Sequence, residues 1–455
     1  MIANLKPYTE YKKAGLPWLD VVPVHWNMVP NRALMQEQRQ VVGVNATDYT
    51  LLSLTLGGII PRNMDNPKGK FPAKFNTYKV VRPEDLVFCL FDIDETPRAV
   101  GYSKLNGMIT GAYDVFSPRQ NINPRFLYYY YLSLDEGKML KPIYTGLRKT
   151  IQRGVFASLK APHPPPDEQA TIVRFLDWTN GRLERTIRAK RKVIALLNEQ
   201  KQVIIHRAVT RGIDLSLPLK PSGIPWLGDI PAHWEVRKLR QLLERATERN
   251  RADLPLLSVV REKGVIKRDI ANLDENHNFI PDDLSNYKVV KVGQLAMNKM
   301  KAWQGSYGVS NDDGIVSPAY FVFNVRGVNG EFFHAALRSK AYVPFFTQAS
   351  DGVRVGQWDL AESRMKEISF FFPSVSEQIA IVRFIKNATA EISAAISRLE
   401  REIELLREYR TCLVADVVTG ELDVREAAAH LPEEATPDVA EASDETESTD
   451  EVIAV

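Results

Sequence analysis

Cysteine is nearly missing: Cys89 and Cys412 are the only two among 455 residues, one in a strand-like run and one in a helical run. So few thiols exclude a disulfide framework, and no Cys or His spacing suits a zinc site, so both are expected to be buried. No apolar run approaches the length needed to cross a bilayer, and Met1-Ile2-Ala3-Asn4-Leu5-Lys6-Pro7 lacks the apolar core of a signal peptide. The cytoplasm is the expected compartment, with no membrane partner. Catalytic signatures are also absent: there is no Gly-rich Lys-Ser/Thr phosphate loop, no Gly-x-Gly-x-x-Gly, no His-Glu-x-x-His and no Gly-x-Ser-x-Gly. A nuclease-like set assembled from Pro166-Asp167 and Glu199-Gln200-Lys201 fails on geometry, since Glu199 would lie about 48 Å along a helix from Asp167. The chain is therefore expected to have no catalytic residue and no metal site of its own.

The composition that remains is that of an ordinary folded protein, 44% hydrophobic and 25% charged. Its net charge is +3, yet Glu433 to Val455 holds nine acids and no Lys or Arg, which leaves +12 on the rest. Residues 424–455 are expected to form an acidic disordered tail. The basic remainder permits a polyanionic partner without proving one.

An internal repeat organises the sequence. Gly15-Leu16-Pro17-Trp18-Leu19 with Pro23, His25 and Trp26 recurs as Gly223-Ile224-Pro225-Trp226-Leu227 with Pro231, His233 and Trp234, at an offset of 208. Glu168-Gln169, followed by Ile172-Val173-Arg174-Phe175, recurs as Glu377-Gln378, followed by Ile381-Val382-Arg383-Phe384, at an offset of 209. Between these blocks the copies agree only in patches, such as Tyr78-Lys79-Val80-Val81 with Tyr287-Lys288-Val289-Val290. Similar frames with different interiors suggest one architectural job done on two targets. The His-Trp pairs have no second ligand nearby, so each reads as a packed Trp with a capping His that ties a module to a helix.

After Pro164-Pro165-Pro166 an apolar heptad pattern begins and runs to about Ala208, interrupted by Gly181 but no proline. Its seam is Leu176, Leu183, Ile187, Ile194, Leu197 and Ile204, and in the second copy Ile385, Ile392, Ile396, Leu399, Ile403, Leu406 and Leu413. Asn180, Lys190, Lys201, Thr389 and Arg410 break it. Each helix should run roughly 40 residues, about 60 Å, and neither can hide its stripe alone. The short linker from Thr210 to Ser222 reaches only about 40 Å, which favours an antiparallel pair over a parallel one. The expected fold is two α/β (α+β) globular modules joined by two long antiparallel helices in an intramolecular coiled coil with pseudo-two-fold symmetry. The expected boundaries are 1–163 for module one, 164–210 for the first helix, 211–372 for module two with its linker, and 373–423 for the second helix.

Each module carries two basic loops that could face nucleic acid. Module one offers Arg98 and Lys104, then Arg148, Lys149 and Arg153. Module two offers Lys299, Lys301, Gln304 and Tyr307, then Arg354 and Gln357. Cations suit phosphates, amides suit base edges, and nearby glycines let the backbone approach closely.

The paired Gly-[Leu/Ile]-Pro-Trp-Leu and His-Trp blocks, the paired Glu-Gln helix starts and Lys301-Ala302-Trp303-Gln304-Gly305 resemble the specificity subunit of type I restriction-modification enzymes. The resemblance covers about Tyr8 to Asp423. It implies two target-recognition domains, each reading half of a split, asymmetric site in double-stranded DNA, with the helices as spacer and as docking surface for DNA methyltransferase (modification) subunits. It also implies restriction/translocase subunits as partners. ATP, magnesium and S-adenosylmethionine belong, by the same resemblance, to those partners and not to this chain. The rival reading is a non-catalytic coiled-coil scaffold that binds protein partners.

Overall fold

The computed structural model describes residues 5–62, 75–93, 95–146, 148–261, 263–268, 280, 281, 283–352 and 358–432. They fall into two units, one made of Met1–Ala189 with Glu402–Val455 and the other of Lys190–Arg401. No helix among the described residues is long and apolar enough to cross a membrane.

The two heptad stretches are single helices, Pro166–Arg211 of 46 residues and Val375–Thr419 of 45. Asp167, Glu168 and Glu377 place carboxylates in the first turns, where the exposed N–H groups favour negative charge. Each helix stops at a glycine in the left-handed region, Gly212 at φ +73° and Gly420 at φ +81°, a backbone that costs other residues strain.

In unit one the strands form a four-stranded antiparallel sheet in the order Met35–Gln38, Asp114–Pro118, Leu86–Phe88, Val100–Tyr102. The helix Pro124–Glu136 packs on it, started by Asn123, whose side chain accepts from the amides of Arg125 and Phe126. Phe88, Phe116, Tyr131 and Phe156 interlock at ring separations of 4.9 to 5.7 Å. The same core takes in the opening turns of the first long helix (Ile172, Phe175, Leu176) and the closing turns of the second (Leu413, Val417, Val418). Farther along, Glu184 lies 3.5 Å from Arg410, so within this unit rising numbers on one helix meet falling numbers on the other.

Unit two repeats the sheet strand for strand: Leu243–Arg245, Phe321–Val325, Leu295–Met297, Tyr307–Val309. Asn329 caps its helix Gly330–Leu337 as Asn123 does in unit one. Its core joins Ala208 and Val209, late in the first long helix, to Ile381, Val382 and Ile385, early in the second. Lys201 Nζ donates to Ser393 Oγ at 2.9 Å, again an antiparallel pairing within the unit. Of the seam-breaking polar residues, Asn180 donates its Nδ2 to the Tyr129 hydroxyl while its buried Oδ1 has no hydrogen bond among the described residues, Thr389 donates to the Ile385 carbonyl, Arg410 pairs with Glu184 and Lys201 donates to Ser393. Every expected seam residue is buried or half-buried.

The modules have the expected mixed fold, and all strand pairings among the described residues are antiparallel, apart from single bridges such as Leu51 with Met108, so α+β is the term that applies. Two other expectations need correction. Cys89 is buried as expected, but Cys412 is exposed, because it lies off the buried Leu413–Val417 side of its helix. Order also continues past 423. Arg425–Ala429 is a short helix, Val424 and Ala428 are buried in the unit-one core, and the Asp423 amide donates to the Lys6 carbonyl at 2.8 Å. These apolar side chains have a core to enter. Residues 433–455, for which disorder was expected, lie outside the described residues.

Candidate functional site

The two repeated blocks meet in space. In unit one Glu168, in the first turn of its helix and only 6% exposed, accepts from Trp26 Nε1 at 3.0 Å and Tyr8 Oη at 2.6 Å, with His25 Nε2 at 2.8 Å. In unit two Glu377 takes Trp234 Nε1 at 3.1 Å and His233 Nε2 at 2.8 Å. The neighbouring glutamine completes each joint. Gln169 accepts from the Asn123 amide and donates to the Pro164 carbonyl, while Gln378 does the same with Asn329 and Pro373. The helix-ending glycines also arrive here: a Cβ on Gly420 would stand 3.1 Å from the Trp26 ring, and one on Gly212 would stand 3.7 Å from Trp234. Each histidine therefore binds a glutamate side chain and not a helix cap. No group of three or more metal-ligating side chains occurs among the described residues.

Beside this frame the candidate basic residues divide sharply. In unit one Arg98 is largely buried, its Nη1 3.4 Å from Glu136 and 3.8 Å from Asp135, so it serves packing. Arg148 lies over the Phe91 ring at 5.3 Å and binds Asp92 at 2.7 Å, a hydrogen bond that raises its pKa. Lys149 is 3.8 Å from Glu95, and Arg153 is 2.8 Å from Asp114. The backbone bond from Asp92 N to the Arg148 carbonyl, 2.9 Å, brings the two loops together, so Arg148 and Lys149 share one edge. Lys104 is exposed with no side-chain partner among the described residues.

In unit two Lys299 binds Asp359 at 2.6 Å, while Lys301 is exposed with no side-chain partner among the described residues. Gln304 is half-buried at the end of the turn Ala302–Gln304, which Gly305 closes at φ +95°. Tyr307 is a correction: it is fully buried, its hydroxyl donates to the Leu337 carbonyl at 3.0 Å, and burial raises its pKa. A ring packed 4.3 Å from Phe346 cannot meet a ligand at the surface. Arg354 and Gln357 lie outside the described residues.

Sequence reading missed the partner of Trp303. Trp358 sits 5.1 Å away, tilted by 48°, and the Leu360 amide binds the Lys299 carbonyl, so Lys301, Trp303, Trp358 and Asp359 share one edge. The repeated Lys79 and Lys288, conspicuous as sequence, anchor strands: Lys79 binds Asp114 at 2.8 Å and Lys288 the Tyr320 carbonyl at 2.5 Å. Burial, then Arg245 and Arg249, lower the pKa of Lys288.

Known proteins answer to this frame. Residues 106–194 match the type I restriction modification DNA specificity domain. The Type I restriction enzyme MjaVIII specificity subunit of Methanocaldococcus jannaschii is 26% identical over 297 residues, 60% of this chain. Over these residues the chain is similar to the type I specificity subunits. The match spans 65% of that relative's length. A solved chain from work on complex assembly and conformational transition of the type I R-M system superposes with a TM-score of 0.53 at 13% identity. That superposition covers 88% of this chain and 99% of the other, and shows the shared fold. The HsdS subunit from Thermoanaerobacter tengcongensis has a TM-score of 0.38 at 14% identity, covering 88% and 98%.

Proposed function

We propose that this chain is the DNA sequence-recognition component of a type I restriction-modification complex. Each module reads one half of a bipartite, asymmetric site in double-stranded DNA. The long helices set the gap and dock DNA methyltransferase subunits, and restriction/translocase subunits complete the assembly. The carrying observation is a frame repeated strand for strand and closed by the same Trp–His–Glu joint, whose basic loops differ between copies. A common frame supports common partners, and unlike loops support unlike half-sites. The chain itself contributes recognition, with ATP, magnesium and S-adenosylmethionine acting in the partner subunits.

The test is a gel shift of the chain with its methyltransferase partner across a salt series, using DNA that carries a bipartite motif found by methylome sequencing. Phosphate contacts make affinity fall steeply with salt, and specific binding should exceed binding to unrelated duplex by about a thousandfold or more. Binding that ignores both salt and sequence would leave the protein-scaffold reading in its place. Methylation and cleavage assays on the chain alone should be blank.

A further inference from the structure

Arg148 is exposed over 66% of its side chain and yet held in three ways. Its Nη2 donates to Asp92 Oδ2 at 2.7 Å, and its guanidinium carbon lies 5.3 Å over the Phe91 ring. The Asp92 amide donates to the Arg148 carbonyl at 2.9 Å, while Thr145 and Thr150 exchange both backbone bonds at 3.0 Å. Behind them the Ile151 amide donates to the Leu90 carbonyl, and both of these side chains are buried in the unit-one core.

Stability does not account for this order. Asp92 at φ +47° and Lys149 at φ +42° occupy left-handed backbone, which is costly for a residue that carries a side chain. An exposed ion pair offsets little of that cost. Strained backbone beneath a fixed, exposed side chain marks a place where a ligand is met in one geometry.

The chemistry narrows the ligand. A guanidinium has five N–H donors, and Nη2 places one hydrogen on each of the two forks. Whichever one Asp92 takes, the other fork keeps both donors, and Arg148 makes no other side-chain hydrogen bond among the described residues. Two parallel donors match O6 and N7 in the major groove, a pair of acceptors that only guanine presents among the four bases. A phosphate is the poorer match, because Asp92 and Glu95, the latter 3.8 Å from Lys149, balance the two cations. The tip offers direction more than charge.

We infer that Arg148 reads a guanine in the half-site of module one, with Asp92 as the residue that positions it. The inference rests on the DNA-recognition reading and adds to it one base and the side chain that selects it.

The experiment binds the full chain, with its methyltransferase partner, to duplexes in which each base pair of the methylome-derived motif is replaced in turn. With the parent chain, replacing one G·C pair in one half-site should weaken binding roughly 5- to 150-fold. Arg148→Ala should erase the penalty at that pair alone, and leave both the other half-site and the salt slope unchanged. Arg148→Lys should do the same, since an ammonium lacks the fork. Asp92→Asn keeps a residue that tolerates left-handed backbone and should lower the penalty in part; an unchanged base preference would overturn the positioning role. If Arg148→Ala instead weakens binding equally on every duplex and reduces the salt slope by about 1, Arg148 contacts a phosphate. That result overturns the inference and leaves the DNA-recognition reading in place. A parent chain indifferent to every replacement overturns both.

Discussion

Trp26 Nε1 donates to Oε1 of Glu168 at 3.0 Å across 142 residues of sequence, and Trp234 donates to Glu377 at 3.1 Å across 143. The indole belongs to a globular module and the carboxylate to the first turn of a long helix, so this bond fixes how a module meets its helix. Glu168 gains by it as well, since a carboxylate at a helix N-terminus sits at the positive end of the dipole.

The two joints should differ in strength. Glu168→Ala strands the buried Trp26 and Tyr8 donors and should destabilise unit one by about 3–5 kcal/mol. Glu377 is 23% exposed and has no counterpart of the tyrosine among the described residues, so Glu377→Ala should cost roughly 1–2 kcal/mol. Thermal or urea unfolding of the two variants measures this, and equal losses would contradict the assigned roles.

The joints show where sequence reading succeeds and where it stops. Both halves were legible as repeated blocks, because bulky and polar residues held at constant spacing stand out against drifting surroundings. Their contact was not legible, because nothing local in Trp26 points to Glu168. The seam residues were legible from helical period, which survives interruptions that turn out to be paired, such as Lys201 with Ser393. The loop residues were not. Strands of three residues such as Tyr307–Val309 are too short for an alternation to say which side chains point inward. Charge also misled at Arg98, largely buried beside Glu136, since a cation's acidic partner is set by tertiary structure.

His334 should give unit two an acid sensitivity. Burial, then Arg338, lowers its pKa to about 4 from an ordinary 6.5, and its Nδ1 accepts from the Val309 amide at 3.1 Å. The folded state keeps the ring neutral while the unfolded chain takes up a proton, so this stability is present above pH 6.5 and is lost as pH falls toward 4. The loss should approach roughly 3 kcal/mol at the low end. His334→Gln should flatten the dependence of the unfolding midpoint on pH over that window; a slope unchanged from the parent would refute the assignment.

Tyr307 and Lys301, six residues apart, should separate stability from DNA binding. Tyr307→Phe removes a buried hydroxyl that donates to Leu337 and should cost about 1 kcal/mol of stability with no change in DNA affinity. Lys301→Ala should leave stability unchanged, weaken binding to the second half-site and reduce the salt slope by about 1. Binding isotherms at several salt concentrations, beside unfolding curves, read both. A loss of DNA affinity in Tyr307→Phe would return that residue to the interface.

The length of the first long helix should set the spacing of the recognised site. B-DNA presents the same groove again after about 34 Å, so two readers tied to helices of fixed length fit one gap between half-sites and not its neighbours. Inserting four residues near Leu197 adds roughly one turn, about 6 Å of helix and close to two base-pair steps. Because four residues fall short of a whole heptad, the seam from Leu197 to Ile204 shifts slightly, and good helix formers in the insert should limit that cost. Methylome sequencing of cells carrying the insertion should show both half-sequences unchanged and the gap altered. An unchanged gap with altered half-sequences would mean that spacing is read by the modules themselves, and the helices would then serve only to hold them.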